Sequence, residues 1–201
     1  VQGWTITNGI AVVWRDGRVD QLLLDESDRC FPDPADVAFT PDGGLALITS
    51  SGSDRVAVVD LARLRGVLDA ASADERARAL PNHTGLPTEF IRGYVSTGIS
   101  PRGIAVDRAG RFAYVTDALA DTVSVIDLAD LSTARIDLGG PRQITIVRRG
   151  ERLFHSAERT FHGQFSCHSC HPDGHIDGLT YDIEPDGIGF APVDNRTLRG
   201  I

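Results

Sequence analysis

An internal repeat is the feature of this sequence that most limits its possible folds. Residues 34–64 and residues 101–131 align without gaps, and each copy contains a proline, three short apolar stretches and turns rich in Asp and Gly. The apolar stretches are rich in β-branched residues, which favours strands joined by tight turns. The expected strands are residues 37–39, 45–49 and 56–60 in the first copy, and 104–106, 112–116 and 123–127 in the second. Three consecutive antiparallel strands make most of a propeller blade.

The second copy resembles the YVTN-type β-propeller repeat. The resemblance rests on the letters AYVTD at residues 113–117 and DTVSVID at residues 121–127, with Asp117 where that family usually has Asn. Residues 34–64 match more loosely. The resemblance implies a mainly β fold over residues 1–147. A closed ring needs at least about four blades and fewer are recognised here, so the propeller blades are expected to be incomplete. A further hairpin is expected at residues 9–24, and a third blade is expected to start at residues 141–147.

The first blade carries an insertion at about residues 65–100. Residues 67–80 are rich in Ala, Leu and Arg, which predicts one helix that ends at residues 81–83. Residues 81–93 then look like a loop, and residues 94–97 like the last strand of the blade. The insertion is interpreted either as a surface excursion or as a contact arm for a partner or for the segment that follows the blades.

The motif Cys167-His168-Ser169-Cys170-His171 follows the blade-like region. Two thiols three residues apart lie on one side of a helical turn, where they can add to the two vinyl groups of one haem, and the next histidine is then the proximal iron ligand. Structural zinc needs four ligands, and the chain has no second Cys pair, although nearby histidines could contribute. A redox dithiol usually follows a strand in a βαβ unit, which this sequence does not show. The motif therefore favours one covalent haem c bound through Cys167, Cys170 and His171.

Residues 150–201 also resemble the haem domains of the di-haem cytochrome c peroxidase and MauG-like superfamily. The resemblance rests on residues 150–157, 165–174 and 195–200, and His155 replaces the usual Asp. It implies a small, loop-rich, mostly α cytochrome c domain at residues 148–201, which is expected to be truncated because the family's pattern continues further. Proteins that fuse a YVTN propeller to such a domain resemble both halves of the chain.

The second axial ligand of the iron is not fixed by the motif. The 201 residues contain no methionine, so a Met ligand from within them is excluded. His162 and His155 lie upstream and are the candidates, whereas His175 follows His171 too closely to cross the haem plane easily. Arg196 and Arg199 could pair with haem propionates, with capping or surface roles as the alternative.

Composition limits the class of function. The net charge is −8 and no basic stripe is present, which argues against nucleic-acid binding. No apolar run is long enough to span a membrane. The absence of methionine even at position 1 leads us to expect a processed form or a piece of a longer protein. Cys30 is expected to be a small buried apolar residue.

The expected function is that of an exported c-type cytochrome, periplasmic or extracellular, which transfers electrons to or from a redox partner protein through a haem carried on a propeller scaffold. Whether the chain is an enzyme is left open. One alternative is a fragment of a di-haem peroxidase or MauG-like oxidase, although that family needs a second haem motif. The other is a haem-bearing docking subunit of a larger redox complex.

Overall fold

The computed structural model describes residues 6–141, 143–182 and 192–200, and most of its regular structure is antiparallel sheet. The strands are β1 Gly9–Val13, β2 Val19–Leu23, β3 Pro34–Phe39, β4 Leu45–Ser50, β5 Arg55–Asp60, β6 Ile91–Ser96, β7 Pro101–Val106, β8 Phe112–Asp117, β9 Thr122–Asp127, β10 Thr133–Asp137, β11 Thr180–Asp182 and β12 Pro192–Asp194. The helices are α1 Leu61–Ala70, α2 Ala73–Arg78, α3 Pro87–Phe90, α4 Ile146–His155 and α5 Cys167–Cys170. Short 3₁₀ turns span Leu80–Asn82, Phe161–Gly163 and Pro172–Gly174.

The two sequence repeats form two four-stranded meanders, β3–β6 and β7–β10, which we call blade 1 and blade 2. All six strands predicted from the repeat are confirmed, and the predicted hairpin is β1–β2. β10 was not predicted, because its sequence TARID is short and polar and all five residues are exposed. Each of these two blades has four strands, and the sheets of the described residues do not close into a ring.

The blades pack face to face through alternate residues of their strands. One buried cluster joins Leu47, Val56, Val58 and Val95 of blade 1 to Ala113, Val115, Ile126 and Leu128 of blade 2. The opposite face of blade 1 packs against the β1–β2 hairpin and the insertion in a second cluster. Both faces of β4 and β5 are thus buried in a core. Close packing on both sides orders the loop between these two strands, which the C-terminal segment contacts.

The prediction of a single helix at residues 67–80 is wrong. α1 begins six residues earlier, because the Asp60 carboxylate accepts a hydrogen bond from the Arg63 N–H at the helix start. Ser72 and Glu75 then form a reciprocal capping box that starts α2 as a separate helix. The loop predicted at residues 81–93 contains α3, and the last strand begins at Ile91 rather than residue 94. Buried leucines and Phe90 of the insertion complete the core beside the hairpin.

The third blade predicted at residues 141–147 is also wrong. Thr145 accepts a hydrogen bond from the Arg148 N–H and starts helix α4 at Ile146, so Ile146 and Val147 belong to a helix. Arg142 lies outside the described residues. The expectation that the C-terminal segment is mostly α is not met after α4. The described residues there form the four-residue α5, two 3₁₀ turns and the β11–β12 pair. The domain boundary at residues 147/148 stays a prediction. Within the described residues, no helix is both long and apolar enough to cross a membrane.

Candidate functional site

The single turn α5 carries both thiols of the C-x-x-C-H motif. Ser166 precedes it and forms a capping box with Ser169, in which each serine hydroxyl accepts the backbone N–H of the other serine. Cys167 is exposed and Cys170 is partly buried. The backbone N–H of His171 closes the turn by donating to the Cys167 carbonyl over 2.9 Å. The structure therefore brings the three predicted residues together on one turn of chain.

The His171 ring is held by a backbone carbonyl. Its Nδ1 lies 3.3 Å from the carbonyl oxygen of His175. A carbonyl oxygen only accepts, so this contact places the ring proton on Nδ1 and leaves the lone pair on Nε2. Histidine ligands in metal sites generally have one ring nitrogen hydrogen-bonded in this way, which fixes the tautomer and the ring orientation.

A largely apolar cavity of about 450 Å³ lies beside Cys170 and His171. Its lining residues come from both sides of the motif and from the N-terminal end of the described chain: Ile6, Phe165, Cys170, His171, Tyr181, Val193, Asp194, Asn195 and Arg196. Apolar walls with a few polar groups are typical of cofactor sites. Arg196 lines this cavity, where its guanidinium could pair with a haem propionate. Arg199 instead donates to the Asp173 carbonyl oxygen and acts as a cap.

A polar network that the sequence analysis missed supports the buried side of Cys170. The Cys170 sulfur lies 3.6 Å from the Tyr181 hydroxyl, which donates a short hydrogen bond to the Asp177 carboxylate. Asn195 donates to the Cys170 carbonyl and to Asp177, the latter over 3.3 Å. Burial raises the pKa of the Cys170 thiol. Asn195 lies in a motif that the superfamily resemblance had singled out, but nothing in the sequence pointed to Tyr181.

The two candidate distal histidines do not line this cavity. His162 lines a separate cavity of about 420 Å³ with Cys30 and Asp54. His155 is buried at the end of α4. The centroid of its ring lies 4.4 Å from the ring centroid of His168, and its Nδ1 accepts a hydrogen bond from Arg102 over 3.3 Å. Their assignment as iron ligands is not supported by this placement and stays a prediction.

The buried position of His155 makes stability depend on pH. The pKa of His155 is lowered to about 4, chiefly by burial and also by the nearby His168 and Arg102, while Glu151 and Asp33 oppose the shift. A histidine whose pKa is depressed on folding stabilises the native state above its unfolded pKa of about 6.5, and this contribution is lost as the pH falls towards 4. We expect the wild type to lose about 2 kcal/mol more than His155→Gln between pH 7 and pH 4.5 in urea titrations. Equal losses in the two proteins would contradict this assignment.

The C-terminal segment is fixed to the blades by polar contacts. The Ala157 N–H donates to the Gly52 carbonyl over 2.9 Å, and the Arg152 side chain donates to the Leu119 carbonyl over 2.8 Å. Arg148 forms an ion pair with Asp121 at 2.9 Å. The stretch of chain that leads to the motif is therefore bonded to loops of both blades. Cys30 is buried, as expected. Burial and the nearby Asp25 carboxylate raise the pKa of its thiol to about 11.

The chemistry of the donor set fits a covalently attached haem. Both thiols share one turn, the imidazole next to them is oriented, and the cavity beside it is apolar. Across residues 6–141, 143–182 and 192–200, no group of three or more Cys, His, Asp or Glu side chains is arranged to hold a metal ion.

Hydrazine synthase is among the proteins that this chain is similar to both in sequence and in structure. No protein-family profile matches the chain. Hydrazine synthase subunit beta of Kuenenia stuttgartiensis is 26% identical over 129 residues, which are 63% of this chain and 33% of the relative. The solved structure of Kuenenia stuttgartiensis hydrazine synthase superposes with a TM-score of 0.61 at 25% identity, over 65% of this chain and 37% of that one. A periplasmic gluconolactonase of Pseudomonas aeruginosa is more distant, with a TM-score of 0.43 at 19% identity over 67% of this chain and 36% of its own.

The chain spans about a third of the length of the hydrazine synthase relatives. Neither comparison bears on the expected likeness of residues 150–201 to the peroxidase and MauG-like superfamily, which stays a prediction. The chain is therefore a β-propeller-like protein, similar over almost two thirds of its length to a subunit of hydrazine synthase.

Proposed function

We propose that this chain is an exported c-type cytochrome unit, in which one haem is attached to Cys167 and Cys170 and ligated by His171 against a propeller scaffold. One observation carries the proposal: the two thiols and a carbonyl-oriented imidazole lie on one turn beside an apolar cavity. Bound haem would supply one-electron chemistry at its iron. Covalent haem of this type is assembled outside the cytoplasm, which supports a periplasmic or extracellular location.

The attachment needs no oxidant. Each thiol adds across one vinyl group, so that the sulfur bonds to one vinyl carbon, the thiol hydrogen goes to the other, and the carbon–carbon double bond becomes single. The exposed Cys167 and the partly buried Cys170 are the two nucleophiles.

The other residues of the cavity orient and shield the group. Phe165, Val193 and Ile6 would keep water away from a bound haem, since apolar side chains have no hydrogen bonds to offer. Arg196 supplies a guanidinium for a propionate. The carbonyl of His175 keeps the Nε2 of His171 free to donate its lone pair to the iron.

We further propose that this cytochrome unit works as a subunit of a larger redox assembly and exchanges electrons with a partner protein there. The support is its likeness to a protein named as a subunit of hydrazine synthase.

The test is direct measurement of haem on the purified protein. The chain is exported to a bacterial periplasm together with a haem c maturation system, and then denatured, separated by size and assayed for haem. We expect one haem per chain that survives denaturation, with the pyridine haemochrome spectrum of a c-type haem. Cys30→Ala is the matched control and should carry the same amount of haem, because Cys30 is buried away from the motif. A wild-type chain that matures without covalent haem overturns the proposal.

A further inference from the structure

Asp33, the residue directly before strand β3 of blade 1, contacts the turn that carries the two thiols. Its two carboxylate oxygens accept hydrogen bonds from the hydroxyls of Ser166, over 2.6 Å, and Ser169, over 2.5 Å. Asp33 is separated from these serines by more than 130 positions in sequence. One side chain of the propeller-like part is therefore bonded to both ends of the capping box around Cys167.

The blade holds Asp33 in place from behind. Its backbone adopts a positive φ of 54°, which is unusual for a residue with a side chain. Its carbonyl accepts hydrogen bonds from both the N–H and the hydroxyl of Ser51, over 3.0 and 3.2 Å. A Cβ atom at Gly52 would lie only 2.8 Å from the carboxylate, so the neighbouring turn leaves room for the carboxylate only because it has glycine there.

The carboxylate decides which way the two serine hydroxyls point. A hydroxyl has one proton to donate and lone pairs with which to accept. Ser166 and Ser169 each donate that proton to Asp33, which leaves their lone pairs for the backbone N–H groups of the capping box. Without an acceptor at position 33, the hydroxyls are free to rotate and to compete for other partners.

This support matters because α5 is only four residues long. A single helical turn is unstable in isolation, since nucleation fixes several residues for one hydrogen bond. Both thiols lie in this turn, so their separation and direction depend on whether it is formed.

We propose that Asp33 is a positioning residue for haem attachment, and that blade 1 is thereby part of the haem site. This inference rests on the proposed function. Asp33 holds the α5 turn in the form in which both thiols reach the two vinyl groups of one haem. It makes no bond to the haem itself.

The test compares the maturation of three variants with the wild type. Asp33→Ala removes both acceptors, Asp33→Asn keeps one oxygen acceptor, and Asp28→Asn removes one exposed carboxylate charge as a matched control. The proteins are exported with the maturation system, and the fractions of chains with two, one and no thioether bonds are measured by mass spectrometry. The position of the reduced α-band gives a second readout, because a remaining vinyl group shifts it. Circular dichroism of each variant reports whether the blades are folded.

We expect the ratio of doubly to singly attached haem to fall about tenfold in Asp33→Ala, since two charge-assisted hydrogen bonds are lost. Asp33→Asn should be intermediate, and Asp28→Asn should match the wild type. Ser166→Ala/Ser169→Ala should lower the ratio as Asp33→Ala does, and adding Asp33→Ala to it should change little more. A folded Asp33→Ala protein with the wild-type ratio overturns the inference while leaving the proposed function intact. If Asp33→Ala does not fold, the serine double variant decides by the same ratio. A wild type without haem overturns the proposed function instead.

Discussion

Replacing both Cys167 and Cys170 by alanine is expected to abolish covalent haem attachment completely. No described cysteine other than Cys30 remains, and Cys30 is buried with its pKa raised to about 11, so it offers no accessible thiolate. Each single replacement should leave one thioether bond and a shifted α-band. The measurement is the haem content of the denatured chain, by haem staining after gel separation and by intact mass.

The single replacements should differ from each other. Cys170 is partly buried and is braced by Tyr181, whereas Cys167 is exposed at the start of the turn. We therefore expect Cys167→Ala to retain more singly attached haem than Cys170→Ala, because the remaining sulfur is better ordered. Covalent haem on the double variant at wild-type amounts would show that the motif is not the attachment site.

The strands of the two blades were predictable because the information is local and repeated. Val56 and Val123, at corresponding places in the two copies, show the same β-branched pattern, and Asp-Gly turns mark the strand ends. β10 escaped because an exposed edge strand needs no apolar alternation. The predicted helix boundaries were wrong for a different reason. The capping residues Asp60, Ser72 and Thr145 decide where the helices begin. Each cap depends on hydrogen bonds of a few atoms, which the composition of a segment does not reveal.

The candidate site was predictable only where it is local in sequence. Cys167, Cys170 and His171 form a contiguous motif, whose spacing follows from helical geometry. Asp33 and Ile6 reach the same place from the far end of the chain, and that proximity is a result of how the blades and the C-terminal segment pack. A single sequence carries no signal for such contacts.

The histidines near the motif lie in different surroundings although they are close in sequence. His155 and His162 are candidate iron ligands because they lie upstream of the motif and could reach over the haem. The structure instead places His155 against Arg102 and His168, and His162 beside Cys30. His168 is part of the motif, yet its ring packs on α4 rather than lining the cavity with His171. The polypeptide turns sharply within the motif, so neighbouring residues face different environments.

Replacing His171 by glycine is expected to leave haem attached but to remove its proximal ligand. The two thiols are unchanged in this variant, so covalent attachment should persist, although its yield will fall if ligation assists maturation. The optical spectrum should lose the features of imidazole ligation, and added imidazole should restore them by occupying the space left by the side chain. Titration of the reduced and oxidised variant with imidazole, followed by absorbance, measures the restoration.

The matched control for His171→Gly is His175→Ala. The structure shows His171 Nδ1 bonded to the backbone carbonyl of residue 175, not to its ring. His175→Ala keeps that carbonyl and should keep the wild-type spectrum, and it should not respond to imidazole at the proximal side. If His175→Ala loses the spectrum and His171→Gly keeps it, the two histidines have exchanged roles, and the ligand that follows directly after Cys170 is not the one that binds the iron. Because a backbone acceptor is insensitive to side-chain replacement, the pair of variants separates ligation by His171 from any requirement for a second imidazole on this loop.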